Sequence, residues 1–343
     1  MKVAAVILNW NTEALLRRYL PALLSSCEEF GSGAEVIVAD SASSDGSLDV
    51  LASQFPEVKT VPLDANYGFA GGYNRALARV DAEYYILVNS DIDVPRDWLL
   101  PLVDWMDSHP ECGICGPKLH AIRDGKRCSS FEYAGAAGGY VDRFGYPFCR
   151  GRVLSRTEED RGQYDTPAEV LWVSGACLMI RSSLWRELGG FDERFFAHME
   201  EIDLCWRACR AGWKVCVVPG STVWHLGGGT LPPSSPWKLE LNYRNNLLLL
   251  HRNDGSALTL LVRRTLDLGS ALVYLLTGRR EYCRAVLKAH RAFRAFGLGR
   301  VRKVDQGPGL SPRHRMRRLC ILPLSFVKGQ GIFKYLKRYE DCH

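Results

Sequence analysis

The residues best suited to chemistry in this chain are acidic, and they stand where apolar runs end. In LVNSDIDV (87–94), Asp91 and Asp93 follow Leu87 and Val88 with one residue between them. Two carboxylates that close repel each other unless a cation or a dense hydrogen-bond network compensates them. In this D-x-D spacing they can hold a hard divalent ion, Mg²⁺ or Mn²⁺, through oxygen. The plainer alternative is that Asp93 only caps the turn before Pro95. Glu200, Glu201 and Asp203 open EEIDLCWRACRAGW. Acids in a first helical turn ordinarily just complement the helix dipole. Here the bulky run GGFDERFFAHM precedes them and can set one carboxylate in a pocket wall as a general base. Asp40 ends EVIVAD and could cap the next helix or accept hydrogen bonds from a base or ribose. His225, between TVW and LGGG, could give an imidazole to a metal or serve a purely structural role.

These groups need a scaffold, and the hydrophobic pattern supplies one. VAAVILNW (3–10) is a continuous apolar run, as expected of a central parallel strand covered on both faces. TEALLRRYLPALLSSC follows with helical leucine spacing and Thr12 as a candidate cap. EVIVAD, then the helix-like SSDGSLDVLASQF, then VKTVPL (58–63), the glycine-led GFAGGYNRALARV and YYILVNSD (84–91) continue the alternation. Four strand–helix repeats predict an α/β fold, an open sheet with helices on both faces. In such sheets ligands sit beyond the carboxyl ends of the strands. Asn9, Asp40, Asn66 and Asp91 all fall at those ends, so four loops are expected to face one crevice. Beyond Pro95 the pattern weakens: 97–110 reads as a helix, 123–169 as an irregular hairpin or excursion, 170–196 as a strand and short helix, 200–213 as a helix, KVCVVPG as a strand and 221–230 as a loop. From about 231 the chain reads as helical and basic.

Composition narrows the class. The chain has 343 residues, 47% hydrophobic and 24% charged, as in globular rather than disordered proteins. Its formal net charge of +6 is unevenly distributed. Residues 1–255 carry 25 Lys+Arg against 33 Asp+Glu, and residues 256–343 carry 19 against 5. An acidic body with a basic tail predicts an anionic surface as the tail's partner. The twelve cysteines are scattered through apolar contexts such as SGACLMI, which predicts reduced, buried thiols and a cytoplasmic address. Cys112 and Cys115 form one C-x-x-C without the second pair that a zinc site would want. MKVAAVILNW reads as a first strand rather than a signal peptide. Residues 258–278 are apolar but interrupted by Arg263, Arg264 and Asp267, so they suit lying on a bilayer better than crossing one.

The ordered string VILNWN, VADSASSDGS, NYGFAGGYN, LVNSDIDV, WVSGACLMIR, GGFDERFFAHMEEIDLCWRACRAGW and VWHLGGGT resembles glycosyltransferase family 2 over residues 3–230. LNYRNNLLLLHRN (241–253) resembles its rhamnosyltransferase-like branch. The resemblance implies a GT-A-type domain over 1–230, followed by a helical, basic region over 231–343. It implies an inverting transfer of a sugar from a nucleotide diphosphate, dTDP-rhamnose or a UDP-hexose, to a hydroxyl of a glycan or lipid-linked acceptor in surface polysaccharide synthesis. Asp40 would hold the pyrimidine nucleoside, with Asn9 beside it and Asn66, Gly68, Phe69, Gly71 and Asn74 shaping that pocket. Asp91 would sit at the ribose and metal, Asp93 would be the principal ligand of a divalent cation, and His225 a second. Trp172, Ser174 and Gly175 would line the acceptor side. The family's base is usually the Asp of a Glu-Asp pair; here Glu201 takes that position with Glu200 beside it, so either glutamate can be the base.

HRAFRAFGLGRVRK and SPRHRMRRL interleave arginines with apolar residues, which suits an interfacial segment on anionic lipid at the inner face of the plasma membrane. No nucleic-acid-binding module accompanies that charge. Two other classes remain open at this point: a nucleotide-dependent oxidoreductase, for which the G-x-G-x-x-G fingerprint is missing, and a non-catalytic carbohydrate- or nucleotide-binding protein of the same fold.

Overall fold

The structure, a computed structural model, describes residues 1–227, 235–254, 256–296, 315–316, 321, 333–334 and 336–337. In chain order its first half comprises β1 (Val3–Asn9), α1 (Glu13–Phe30), β2 (Ala34–Asp40), α2 (Ser47–Gln54), β3 (Lys59–Pro62), α3 (Gly68–Leu77), β4 (Tyr84–Val88), β5 (Ile92–Asp93) and α4 (Leu99–Ser108). Then come β6 (Cys112–Arg123), β7 (Lys126–Phe131), β8 (Gly139–Asp142), β9 (Pro147–Cys149), β10 (Arg152–Val153), β11 (Arg156–Thr157), β12 (Ala168–Glu169) and β13 (Cys177–Arg181). The remainder holds α5 (Ser182–Leu188), a 3₁₀ turn (Glu193–Phe195), α6 (Glu200–Arg210), β14 (Lys214–His225), α7 (Pro236–Asn253), α8 (Ala257–Leu276), α9 (Arg280–Ala295) and β15 (Arg315–Met316).

The main sheet runs β12-β14-β6-β13-β4-β1-β2-β3, with β5 paired to β14 and β7 to β6. β1 pairs in parallel with both β2 and β4, and β2 with β3, which is the predicted open α/β half. β13 runs antiparallel between β4 and β6, so the sheet is mixed. β1 is central and buried along almost all its length because apolar layers cover both faces. On one face α1 contributes Leu16, Leu20, Leu23 and Cys27 at helical spacing; on the other Tyr73, Ala76 and Leu77 of α3 pack down.

Several local expectations give way to tertiary pairing. Thr12 stands at the start of α1 but does not cap it with its side chain; its hydroxyl donates to Asn9 Oδ1 instead. Residues 123–169 are not an irregular excursion: β8–β11 and β15 form a second, five-stranded sheet around buried Val141, Phe148, Cys149 and Val153. Strands of two to four residues are too short to display an alternation. Residues 170–176 form a loop, and the strand proper starts at Cys177. Residues 221–225 are not a loop either. After a bulge, β14 resumes pairing with β6 from Thr222 to His225, and Trp224 and His225 also pair with Asp93 and Ile92 of β5. The basic stretch 297–314 and most of SPRHRMRRL lie outside the described residues, as do 228–234, where the expected domain boundary falls.

Candidate active site

A cavity of about 300 Å³ opens beyond the carboxyl ends of β1 and β4. Its walls include Leu8, Trp10, Ser41, Asn66, Gly68, Phe69, Asn89, Ser90, Asp91, Ser174, Gly175, Glu200, Glu201 and His225. The strand tips therefore do gather around one crevice, although the expected residues do not all reach its surface.

The pairing of β14 with β5 sets His225 against Asp91. His225 Nε2 lies 3.1 Å from Asp91 Oδ1, and Nδ1 lies 3.4 Å from Glu132 Oε2. All three side chains are buried. Burial opposes the charge on His225, but the flanking Asp91 and Glu132 outweigh it and push its pKa up to about 10. Burial likewise disfavours an ionised Asp91, yet His225 and the backbone N–H of Gly227, 3.2 Å away, hold its carboxyl below the ordinary value. Asp91 and His225 set a carboxylate oxygen and an imidazole nitrogen side by side on a cavity wall, donor types that suit Mn²⁺ or Mg²⁺, while among the described residues no cluster of three such ligands forms. Glu132 behind the ring can fix its orientation, as a carboxylate behind a metal-binding histidine does. Nothing in the local sequence SSFEYAG marks Glu132; only the fold of β7 against β6 brings it there.

Asp93 is placed differently. Its carboxylate accepts two hydrogen bonds from Arg127, at 2.8 and 2.9 Å, and it does not line the cavity. Alternation along a strand would keep residues two apart on one face, but β5 begins only at Ile92, so Asp91 stands in the turn before it and the two aspartates meet different partners. The structure thus pairs His225 with Asp91 and gives Asp93 to Arg127.

Asn9 and Asp40 are brought together, but beneath the cavity rather than on its surface. Asn9 donates its amide to Asp40 Oδ2 at 2.7 Å, and the Ser43 N–H donates to Oδ1 at 2.9 Å. The pair ties the ends of β1 and β2 and positions Ser41 and Trp10, which do line the cavity. Asn66 reaches the wall while its Oδ1 accepts the Gly68 N–H at 2.9 Å. Gly68 has φ +71°, and a Cβ there would meet Phe196 at 2.6 Å, so only glycine lets α3 approach that loop. Gly71 and Asn74 lie outside the cavity: Gly71 is interior to α3, and Asn74 exchanges two 2.9 Å bonds with the Phe191 backbone. Trp172 is also set back, its indole donating to Tyr140 O at 3.1 Å. Ser174 and Gly175 do line the wall.

Glu200 and Glu201 enter from the first turn of α6. Their companion Asp203 is fully buried and satisfied by Arg207 and Asn253, each at 2.7 Å, so its role is structural. Oε2 of Glu200 and Oε2 of Glu201 are buried without a hydrogen-bond partner. Such atoms cost free energy and are rare in native proteins unless used. Burial, and then the neighbouring charge of Glu201, push Glu200 well above the ordinary carboxyl range; burial raises Glu201 to about 7. Of the two, Glu201 is the one that ionises near neutrality. It packs against Gly175, where a Cβ would lie 3.3 Å from Glu201 Cβ.

The backbone leading into α6 is strained. Phe196, His198 and Met199 have φ of 64°, 71° and 73°, a conformation that costs about 1–3 kcal/mol at each non-glycine residue. Helix α7 holds it. The Asn245 amide nitrogen lies 2.8 Å from Ala197 O and 2.7 Å from His198 O, and Arg244 donates to Phe195 O at 2.8 Å. Asn253 of the same helix reaches Asp203. Arg244 and Asn245 lie within LNYRNNLLLLHRN, but nothing in that stretch names the backbone they hold. Phe196, His198 and Trp237, which no local motif marks, also line the cavity. His198 is kept neutral by burial and by the nearby Lys238, its pKa lowered to about 4.

Comparison with known proteins agrees with this architecture. Among solved structures, GalNAc-T7 bound to UDP, GalNAc and Mn²⁺ superposes with TM-score 0.57 at 17% identity, covering 74% of this chain and 48% of that one. Staphylococcus aureus TarS 1–349 in complex with UDP-GlcNAc gives 0.54 at 16%, covering 85% and 82%. These likenesses establish the expected GT-A fold. The N-acetylglucosaminyl-diphospho-decaprenol L-rhamnosyltransferase of Mycobacterium tuberculosis is 28% identical over 231 residues, 64% of this chain and 74% of that protein. Rhamnosyltransferase WbbL of Escherichia coli K12 is 28% identical over 160 residues, 45% and 58% of the respective chains. The Glycosyl transferase family 2 profile matches residues 4–188, more than half of the sequence. With this fold and this ordered set of motifs, the chain belongs to glycosyltransferase family 2.

Proposed function

We propose that this protein transfers a deoxyhexose or hexose, with inversion, from a nucleotide-diphosphate donor to a hydroxyl of a lipid-linked glycan. The observation that carries the reading is a division of labour within one cavity: Asp91 and His225 form an anion-and-imidazole pair on one wall, and Glu200 and Glu201 present unpaired oxygens on another. The similarity to rhamnosyltransferases supports dTDP-rhamnose as donor, with UDP-hexoses as the other candidates.

Asp91 and His225 would hold a divalent cation, Mg²⁺ or Mn²⁺, which when bound supplies positive charge to the leaving diphosphate. Asn66, Gly68 and Phe69 at the start of α3 line the cavity and are suited to the nucleotide end. Glu201 acts as the general base, taking the proton from the acceptor hydroxyl as its oxygen forms the new bond to the anomeric carbon and the nucleotide diphosphate leaves from the opposite face. Glu200 keeps its proton and can donate a hydrogen bond to the acceptor. Clamping of the 196–199 backbone by Asn245 and Arg244 keeps both carboxyls in position without spending binding energy on ordering them. A lipid-borne acceptor places the reaction at an anionic membrane surface, which the basic C-terminal region is suited to meet.

The test is incubation of the full chain and Mn²⁺ with dTDP-rhamnose, UDP-GlcNAc, UDP-galactose or GDP-mannose, each with a polyprenyl-diphospho-GlcNAc acceptor. Product formation with one donor, with anomeric configuration opposite to the donor's by NMR, is the expected result. Retained configuration, or donor turnover unaffected by Glu201→Gln, would overturn it.

A further inference from the structure

We infer that the outward face of α8 is a membrane-seating surface that lies in the plane of an anionic bilayer. The argument starts from an inversion. In water, an amphipathic helix turns its leucines inward and its charges outward. α8 does the opposite. Leu258, Leu261, Leu268, Leu272 and Leu276 fall on one side, with Thr265 in the turn between Leu261 and Leu268, and these leucines are 47–77% exposed, with Val273 at their edge. The charged pair of the same helix faces the protein: Arg263 and Asp267 are buried and joined at 2.7 Å, and His290 of α9 lies 3.3 Å from the second Asp267 oxygen. Arg263 also packs over the Tyr146 ring and bonds Gly145 O, which fixes α8 to the body by its polar side. The outward stripe is left without charge, and Arg264 on its flank is only half-exposed.

The neighbouring helix identifies the partner. α9 packs beside α8 and exposes Arg280, Arg284, Lys288, Arg291 and Arg294, against a single exposed acid, Glu281. An apolar stripe beside a row of basic side chains matches an acyl boundary beneath anionic headgroups. The same row would repel itself across a dimer of identical faces, so charge disfavours a second copy. Among the described residues no helix is long and apolar enough to cross a membrane. α8 is anchored to the body by its Arg263–Asp267 side and carries that charge mid-helix, so it would lie along the surface rather than through it. The surface rests on the proposed lipid-borne acceptor for its use, but not for its evidence.

Vesicle flotation of the full chain, without donor or acceptor, tests this. Wild type is expected to float with phosphatidylcholine–phosphatidylglycerol vesicles and much less with phosphatidylcholine alone. The variant Leu261→Gln/Leu268→Gln/Leu272→Gln is expected to lose at least about tenfold in partitioning with an unchanged thermal melt, because these side chains are exposed. Arg284→Gln/Lys288→Gln/Arg291→Gln should remove the preference for the anionic lipid. The inference is overturned if wild type stays in solution with both vesicles, if the leucine variant floats like wild type, or if that variant only converts a dimer to a monomer in sedimentation. Nucleotide-sugar turnover with a water-soluble acceptor is measured in parallel. Its loss with intact flotation would refute the proposed reaction and leave the membrane face standing.

Discussion

Arg127 grips the carboxylate of Asp93 with two hydrogen bonds, 2.8 and 2.9 Å long, and so separates it from Asp91, two positions earlier in the chain. Asp91 meets His225 on the cavity wall; Asp93 closes the edge where β7 approaches β5. The pair that looks like one motif in the sequence is therefore two devices.

The first prediction follows directly. Asp91→Asn is expected to weaken Mn²⁺ binding by more than the 10–100-fold typical of losing an outer-shell partner of a metal. Asp93→Asn should leave that affinity within about threefold and cost no more than about 1 kcal/mol, because its ion pair is partly exposed. Titration of each variant with Mn²⁺ and a nucleoside diphosphate, read by electron paramagnetic resonance, separates them. Equal loss in both would refute the division.

The glutamates predict a pH profile. If Glu201 must be ionised to act, turnover should rise with pH through about 7, where burial has placed its carboxyl. Glu201→Gln should lower kcat by about 10²–10⁴ and remove that limb, whereas Glu200→Gln should retain it. The stability effect has the opposite sense. Because the folded chain holds the Glu201 proton more tightly than the unfolded chain, the associated stability is whole below its ordinary value of 4.5 and is lost as pH rises through about 7. Without metal or substrate, Glu201→Gln should therefore be the more stable protein at pH 8, by about 1–3 kcal/mol, and indistinguishable near pH 4. Thermal melts across that range decide it.

The α7 clamp predicts a split between chemistry and metal binding. Asn245→Ala removes the amide facing the Ala197 and His198 carbonyls and leaves strained backbone unsupported. Stability should fall by about 1–3 kcal/mol and kcat by at least about tenfold, with Mn²⁺ affinity unchanged because Asp91 and His225 stand on other elements. An unaltered kcat would show that the 196–199 backbone holds itself.

His225 predicts proton release. Raised to about 10 by Asp91 and Glu132 against the effect of burial, it is protonated at neutral pH and must lose that proton to bind a metal. Mn²⁺ affinity should rise with pH between 6 and 9, and calorimetry in buffers of different ionisation enthalpy should register about one proton released per ion. A pH-independent affinity would exclude His225 as a ligand.

The sequence by itself determined the α/β half, because short uninterrupted apolar runs such as VAAVILN and YYILV alternate with helical segments as buried parallel strands do, and it placed acids at their ends. It also marked Glu200 and Glu201, since the bulky run GGFDERFFAHM before them can set a carboxylate in a pocket wall. What it could not decide was which polar atoms would be left over. Asp40 and Asn9 satisfy each other, Asp203 is taken by Arg207 and Asn253, and Asp93 by Arg127. Only Asp91, His225 and the two glutamates remain turned to the cavity among the acids and imidazole first singled out. Apart from the Asp203–Arg207 pair within α6, those assignments depend on partners tens of residues away. The extension of β14 to His225, the second sheet built from two- to four-residue strands, and the reversed faces of α8 were settled the same way. Periodicity reports which side of a helix is apolar; only packing decides whether that side is covered.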